Sequence, residues 1–127
     1  MSGIYKMELA PVGSTGNNNH NLVQPNPTHK GGVCLEFVVE AIGGGPTVTY
    51  KLQGTMADAA APASTDWEDI FLVPASTDTA AATRAVTAVG RTYSFISLSH
   101  IKFFKKVRLV TSANTNVTYS ASLVPAL

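Results

Sequence analysis

The densest set of chemically capable side chains is the acidic run Asp66, Glu68 and Asp69, which brackets Trp67. Grouped carboxylates can hold a hard cation such as calcium, which takes about six to eight oxygens. This run lacks the acidic spacing and central glycine of a calcium loop, so it reads as a solvated loop entering a strand, with Trp67 turned inward and no metal. His20, His29 and His100 are scattered, without the close His/Cys spacing that tetrahedral zinc needs. No serine or threonine sits in a Gly-x-Ser-x-Gly elbow. Gly43, Gly44 and Gly45 precede neither a Lys-Ser or Lys-Thr pair nor a helical pattern, which excludes a phosphate loop and leaves hairpin glycines. Cys34 lies in a strand pattern and, as the single cysteine, cannot form an intramolecular disulfide, so a packed thiol is expected. Asn116, Val117 and Thr118 spell a glycosylation sequon that has no meaning without secretion. The expectation is a protein with no catalytic residue, no metal and no cofactor.

A second constellation is basic. In HIKFFKKVRL, residues 100–109, strand alternation places Ile101, Phe103, Val107 and Leu109 on one face and Lys102, Phe104, Lys106 and Arg108 on the other, with Lys105 on the apolar side. Basic residues beside an exposed aromatic can bind nucleic acid through phosphates and stacking. They can equally form a solvated face or meet an acidic protein surface. The formal net charge of +1 supplies no long-range field, which disfavours nucleic acid and anionic membranes as partners. As a protein interface, Lys102, Phe104, Lys106 and Arg108 would face Asp66, Glu68 and Asp69 of a neighbouring copy. Different patches meeting head to tail can close a ring such as a trimer.

These residues must be placed by a small scaffold. A chain of 127 residues allows one domain plus an appendage. Charged residues make up 13%, roughly half the usual share, and 45% are hydrophobic, so the surface avoids charge and is rich in Ser, Thr and Asn. MSGIYKMELAPVG does not read as a signal peptide, and no run approaches the length of a membrane span, so a protein made and kept in aqueous surroundings is expected.

The pattern changes near residue 32. Residues 1–32 show little sustained periodicity, and PVGSTGNNNHNLVQPNPTHKGG favours turns and extended backbone over helix. The expectation is an extended arm over residues 1–32, in which residues 1–9 can make a short strand anchored by Ile4 and Leu9, ordered by neighbouring subunits through Ile4, Tyr5, Leu9, Leu22 and Val23, with a free tail as the other reading. From Val33 the period is two. VCLEFVVEAI alternates, with Val33, Leu35, Phe37, Val39 and Ala41 on one face, and TVTYKLQ resumes the pattern after the glycines, which predicts a hairpin. Further strands are expected around residues 67–73, 83–89, 92–99, 103–111 and 116–124. About seven strands over residues 33–127 predict an all-β, antiparallel β-sandwich, Ig-like or jelly-roll-like, without the Cys-Trp-Cys spacing of antibody domains.

TVTYKLQGT, a small-residue loop and then STDWEDI resemble a pattern in small sandwich proteins of tailed bacteriophage virions, among them capsid decoration or cement proteins and some tail components. That resemblance spans roughly residues 33–124 and implies a virion role. The expectation is a decoration protein on the outer capsid surface that binds the major capsid protein and itself, as a trimer, and bridges capsomers. A tail-tube or head-tail adaptor subunit is the structural alternative. A glycan-binding module is the alternative of another class, and it would need an exposed Trp or Tyr on a sheet face or loop.

Overall fold

The computed structural model describes residues 7–23, 33–41, 43–77, 79–96 and 104–125. Among them the strands are β1 (Met7–Thr15), β2 (Asn19–Val23), β3 (Val33–Ala41), β4 (Thr47–Thr55), β5 (Glu68–Ile70), β6 (Val73–Pro74), β7 (Arg84–Val86), β8 (Gly90–Ile96), β9 (Lys106–Thr115) and β10 (Val117–Pro125), with a short 3-10 turn at Ser64–Asp66. They form two antiparallel sheets of five strands each. The first has the order β1-β10-β3-β8-β6. The second has the order β2-β9-β4-β5, and β7 pairs with the same edge of β4 as β5 does. The expected all-β antiparallel sandwich agrees with this architecture.

The pairing narrows the topology. β1 pairs with β10, β2 with β9, β3 with β8 and β4 with β5. These nested antiparallel pairs are the strand order of a jelly roll, in which a long ribbon is rolled so that its two halves face each other. Consecutive strands β3 and β4 lie in opposite sheets, so residues 43–46 carry the chain across the sandwich; the expected hairpin does not form. The expected strand at residues 67–73 is likewise divided. β5 ends in one sheet and β6 begins in the other, with buried Leu72 bridging to Ala81 between them.

Alternation explains the core. Val33, Leu35, Phe37 and Val39 of β3 are buried together with Val48, Tyr50 and Leu52 of β4 and Val117, Tyr119, Ala121 and Leu123 of β10. Phe37 stacks on Tyr50 at 4.1 Å and on Tyr119 at 5.2 Å, which ties the two sheets together. A buried phenol must find a hydrogen-bond partner. Tyr50 reaches Thr92 Oγ1 at 3.0 Å and Tyr119 reaches Thr111 Oγ1 at 2.8 Å.

The segment expected as an extended arm differs most. Its described part, Met7–Thr15 and Asn19–Val23, supplies an edge strand to each sheet, and Leu9 and Ala10 belong to the core. The physical reason is the fold's own closure: in a rolled ribbon the first strands pair with the last. The sequence signal is weak because β1 slips register twice against β10, between Glu8 and Ala10 and between Ala10 and Ser14. Such bulges destroy strict alternation and protect an edge strand from chance pairing.

Candidate functional site

Of the acidic and basic residues singled out on sequence, Asp69 and Arg108 come together on the outer face of the second sheet. Asp69 of β5 lies opposite Gln53 of β4, and Gln53 lies opposite Arg108 of β9, so register alone lines the three up across the strands. Gln53 Nε2 donates to Asp69 Oδ1 at 2.9 Å, and Arg108 Nε donates to Gln53 Oε1 at 3.0 Å. Lys51 Nζ stands 3.3 Å from the same Asp69 oxygen. The Arg108 guanidinium lies 4.2 Å from the centre of the Trp67 ring, a cation–π contact. Burial lowers the Arg108 pKa from its ordinary value.

Several expectations change here. Trp67 does not turn into the core; it lies half-buried under Arg108, with its indole Nε1 enclosed and unpartnered. One face of the ring is thereby occupied, which counts against Trp67 as a sugar platform. Asp69 and Arg108 are joined within one chain through Gln53, so they do not stand as free opposite charges awaiting a neighbour. Asp66 accepts from the Ala63 backbone N–H at 2.8 Å and closes the 3-10 turn, while Glu68 is exposed.

The basic strand is also divided by its contacts. Phe104 precedes β9 and packs against the core over Gly54, instead of standing beside Lys106 and Arg108 as an exposed aromatic. Lys105 Nζ meets Asp58 Oδ1 at 2.7 Å, and Lys106 Nζ donates to the Ala59 carbonyl. The hydrogen bond from Lys105 holds the Asp58 carboxyl below its usual range. These two lysines therefore fasten the loop after β4. Lys102, Ile4 and Tyr5 lie outside the described residues. Leu9 is fully buried in this chain, while Leu22 and Val23 lie in β2, with Val23 opposite Val107.

Two features were not singled out on sequence. At the end of the sandwich where β1 crosses to β2, His20 Nε2 lies 2.5 Å from Tyr119 Oη, and Thr111 Oγ1 accepts from the Asn18 backbone N–H at 3.0 Å. Burial lowers the His20 pKa from its ordinary value, so the imidazole is favoured neutral, and a neutral Nε2 can accept the phenol proton. The other feature is on the outer face of the first sheet. Val124, Cys34, Phe95 and Val73 lie opposite one another across β10, β3, β8 and β6 and make an apolar row. Phe95 is 52% exposed and Tyr93, two residues before it on the same face, is 41% exposed. Arg91 Nη1 and Glu36 Oε2, at 3.1 Å, neutralise each other on the same face. The signal was present in TYSFISLS, where apolar residues occupy both parities, so one set must face outward.

Cys34 in that row is half-buried. Burial pushes its thiol up, the nearby Glu36 carboxylate adds to this, and a backbone hydrogen bond with Ser94 acts against it, which disfavours the reactive thiolate. Among the described residues, no group of three or more His, Cys, Asp and Glu could hold a metal ion, and no helix is long and apolar enough to cross a membrane.

Among the described residues, fold and surface together define a two-sheet jelly-roll sandwich with three opposite-charge pairs closed in cis and an apolar row on the outer face of the first sheet. No protein-family model and no curated protein matches the sequence. Among solved structures, the chain is similar to YomS, a protein derived from the SPBc2 prophage, with a TM-score of 0.60 and 9% sequence identity over 98% of this chain and 94% of that one. At that identity the likeness is one of fold.

Proposed function

We propose that this chain is a non-catalytic structural protein of a tailed-phage virion, and specifically a decoration or cement protein that docks as a homotrimer on the outer capsid surface and bridges copies of the major capsid protein. The observation that carries this reading is the shared fold with a prophage-derived protein along nearly the whole of both chains. A jelly roll is also an architecture used repeatedly in viral capsid domains, although fold by itself does not fix function. The exposed Tyr93 and Phe95, beside a neutralised ion pair, supply an aromatic surface of the kind enriched at protein interfaces. Several such weak contacts on one trimer act at high effective concentration, so retention on a particle exceeds what any single contact provides.

The test is to add the purified protein to phage particles that lack it and measure binding and the temperature at which the heads open. Saturable binding to heads with a raised opening temperature is the expected result. A monomer with no affinity for heads would overturn the reading, and binding confined to tails would move it to the tail-tube or adaptor alternative. Tyr93 on a sheet face also meets the requirement of the glycan-binding alternative, so binding of the isolated protein to a glycan array, lost in Tyr93→Ala, would favour that class instead.

A further inference from the structure

β9 carries two half-buried cations on the outer face of the second sheet, Lys106 and Arg108, and neither bonds a carboxylate among the described residues. Arg108 Nε donates to the Gln53 amide oxygen, and neither of its Nη atoms has a partner among those residues. Lys106 Nζ donates to the Ala59 carbonyl. Both acceptors are neutral. The neighbouring carboxylates are engaged elsewhere: Asp69 with Lys51, Asp58 with Lys105, and Asp66 with the Ala63 N–H. Lys106 acts on Asp58 only from a distance, by adding to the lowering of its pKa. Glu68 lies opposite Gly54 and shares the parity of Ile70, so it belongs to the other face of β5 from Asp69.

A third donor belongs to the same place. Trp67 Nε1 is enclosed without a hydrogen-bond partner, alone in this among the buried side-chain nitrogens and oxygens of the described residues. Buried N–H groups are nearly always paired, because an unpaired one has given up its water for nothing. The ring that carries it lies under Arg108, with the guanidinium carbon 4.2 Å from its centre. An anion with two or more oxygens, set at the nitrogen edge of that ring, can reach the guanidinium as well. Burial without a counter-charge is unfavourable for the cations and burial without an acceptor is unfavourable for the N–H, and one negatively charged oxygen group relieves both.

The loop after β4 closes over this part of the sheet. Gln53 and Thr55 share the outward parity of Lys51 yet are buried, and Lys105 and Lys106 tie the loop down at Asp58 and Ala59. Residues 57–63, ADAAAPA, carry small side chains that can yield to a ligand. When Lys106 exchanges the Ala59 carbonyl for an anionic oxygen, a hydrogen bond to a neutral group becomes one to a charged group, which is about twice as strong as a neutral pair.

We propose that Arg108, Lys106 and Trp67 Nε1 form a binding site for an oxyanion, either a phosphate group or a carboxylate. The half-buried Arg108 and Lys106 meet the anion first, and the enclosed indole N–H is its innermost donor. The planar fork of the guanidinium matches the oxygens of both groups, while the ammonium of Lys106 turns freely to take whichever oxygen remains. Binding is a property of the purified protein and does not depend on the virion reading.

Trp67 is the chain's single tryptophan, so its fluorescence reads this site directly. Inorganic phosphate and acetate are titrated separately into the full-length protein, with chloride holding the ionic strength constant, and Trp67 emission and the thermal unfolding midpoint are followed. The expected result is a saturable change in emission together with a midpoint that rises with anion concentration. Arg108→Gln weakens that binding about tenfold or more, the loss expected for a charged hydrogen bond. Lys106→Gln leaves the Trp67–Arg108 contact in place and gives a second reading by emission should Arg108→Gln fold poorly. A response to phosphate alone assigns the site to phosphate groups, and a response to acetate alone assigns it to carboxylates. No saturable response, a response that chloride reproduces, or one that survives both substitutions unchanged overturns the proposal.

Discussion

Gly54 and Phe104 show how one missing side chain fixes a neighbour. Gly54 faces inward in line with Val48, Tyr50 and Leu52, and the Phe104 ring occupies the volume a Cβ would take. Gly54→Ala must push the ring off β4 or distort the strand, a change that overpacks the site and costs about 1–3 kcal/mol. Urea denaturation of Gly54→Ala, Phe104→Ala and the double variant should show the alanine penalty largely relieved once the ring is gone; additive losses would show that the ring is not the obstacle. His20 carries a pH dependence of definite sign. Its folded pKa lies below the ordinary value of 6.5, so as pH falls through 6.5 the unfolded chain takes up a proton that the folded chain resists. The unfolded state then binds more protons. His20's contribution to stability is complete above 6.5 and declines as pH falls toward the folded value. Denaturation midpoints measured between about pH 7 and pH 5 should fall in the natural protein more than in His20→Gln; equal slopes would remove His20 as the cause.

At the scale of elements, β1 matters most because it changes what residues 1–32 are. Leu9 is 0% exposed and shares the core with Leu123 and Phe37. Leu9→Ala should therefore cost about 2–5 kcal/mol, as for other buried leucines. Thermal or chemical unfolding of that variant measures it, and a loss within a few tenths of a kcal/mol would return β1 to the status of a loose arm. Period-two alternation made β3, β4 and β10 legible, since each buries one face and keeps strict register with its partner over most of its length. It allowed a short strand over residues 1–9 but could not reveal β1 in full, whose Pro11 and Gly13, the latter at φ +89°, lie where register is lost. Nor could it reveal the sheet to which each strand belongs. Glycines after β3 suit a hairpin and a crossing between sheets equally well, because the choice is made by distant partners, β8 and β10 for β3 and β9 for β4. The acidic and basic candidates were visible as residue types. Their union through Gln53 was not, because it depends on the register of three strands far apart in sequence.

At the scale of the whole molecule, charge is scarce, and among the described residues three opposite pairs are spent internally. Asp69 takes Lys51 and Gln53, Glu36 takes Arg91, and Asp58 takes Lys105. Arg108 is placed on Trp67. The exposed pairs add little stability, but each takes two opposite charges out of those that could steer a partner. Apolar contact through Tyr93 and Phe95 is therefore the larger resource for association under the proposed function. Contacts between exposed charges weaken steeply with salt, because the screening length shrinks from about 14 Å at 50 mM to about 4 Å at 500 mM, whereas apolar burial does not weaken. Particle binding or self-association measured across that range should change little, while Tyr93→Ser/Phe95→Ser should weaken it with only a small effect on the unfolding midpoint. A steep loss of binding with salt, together with normal binding by the Tyr93→Ser/Phe95→Ser variant, would return the interface to Lys106, Arg108 and Glu68 and restore the head-to-tail pairing of charged patches.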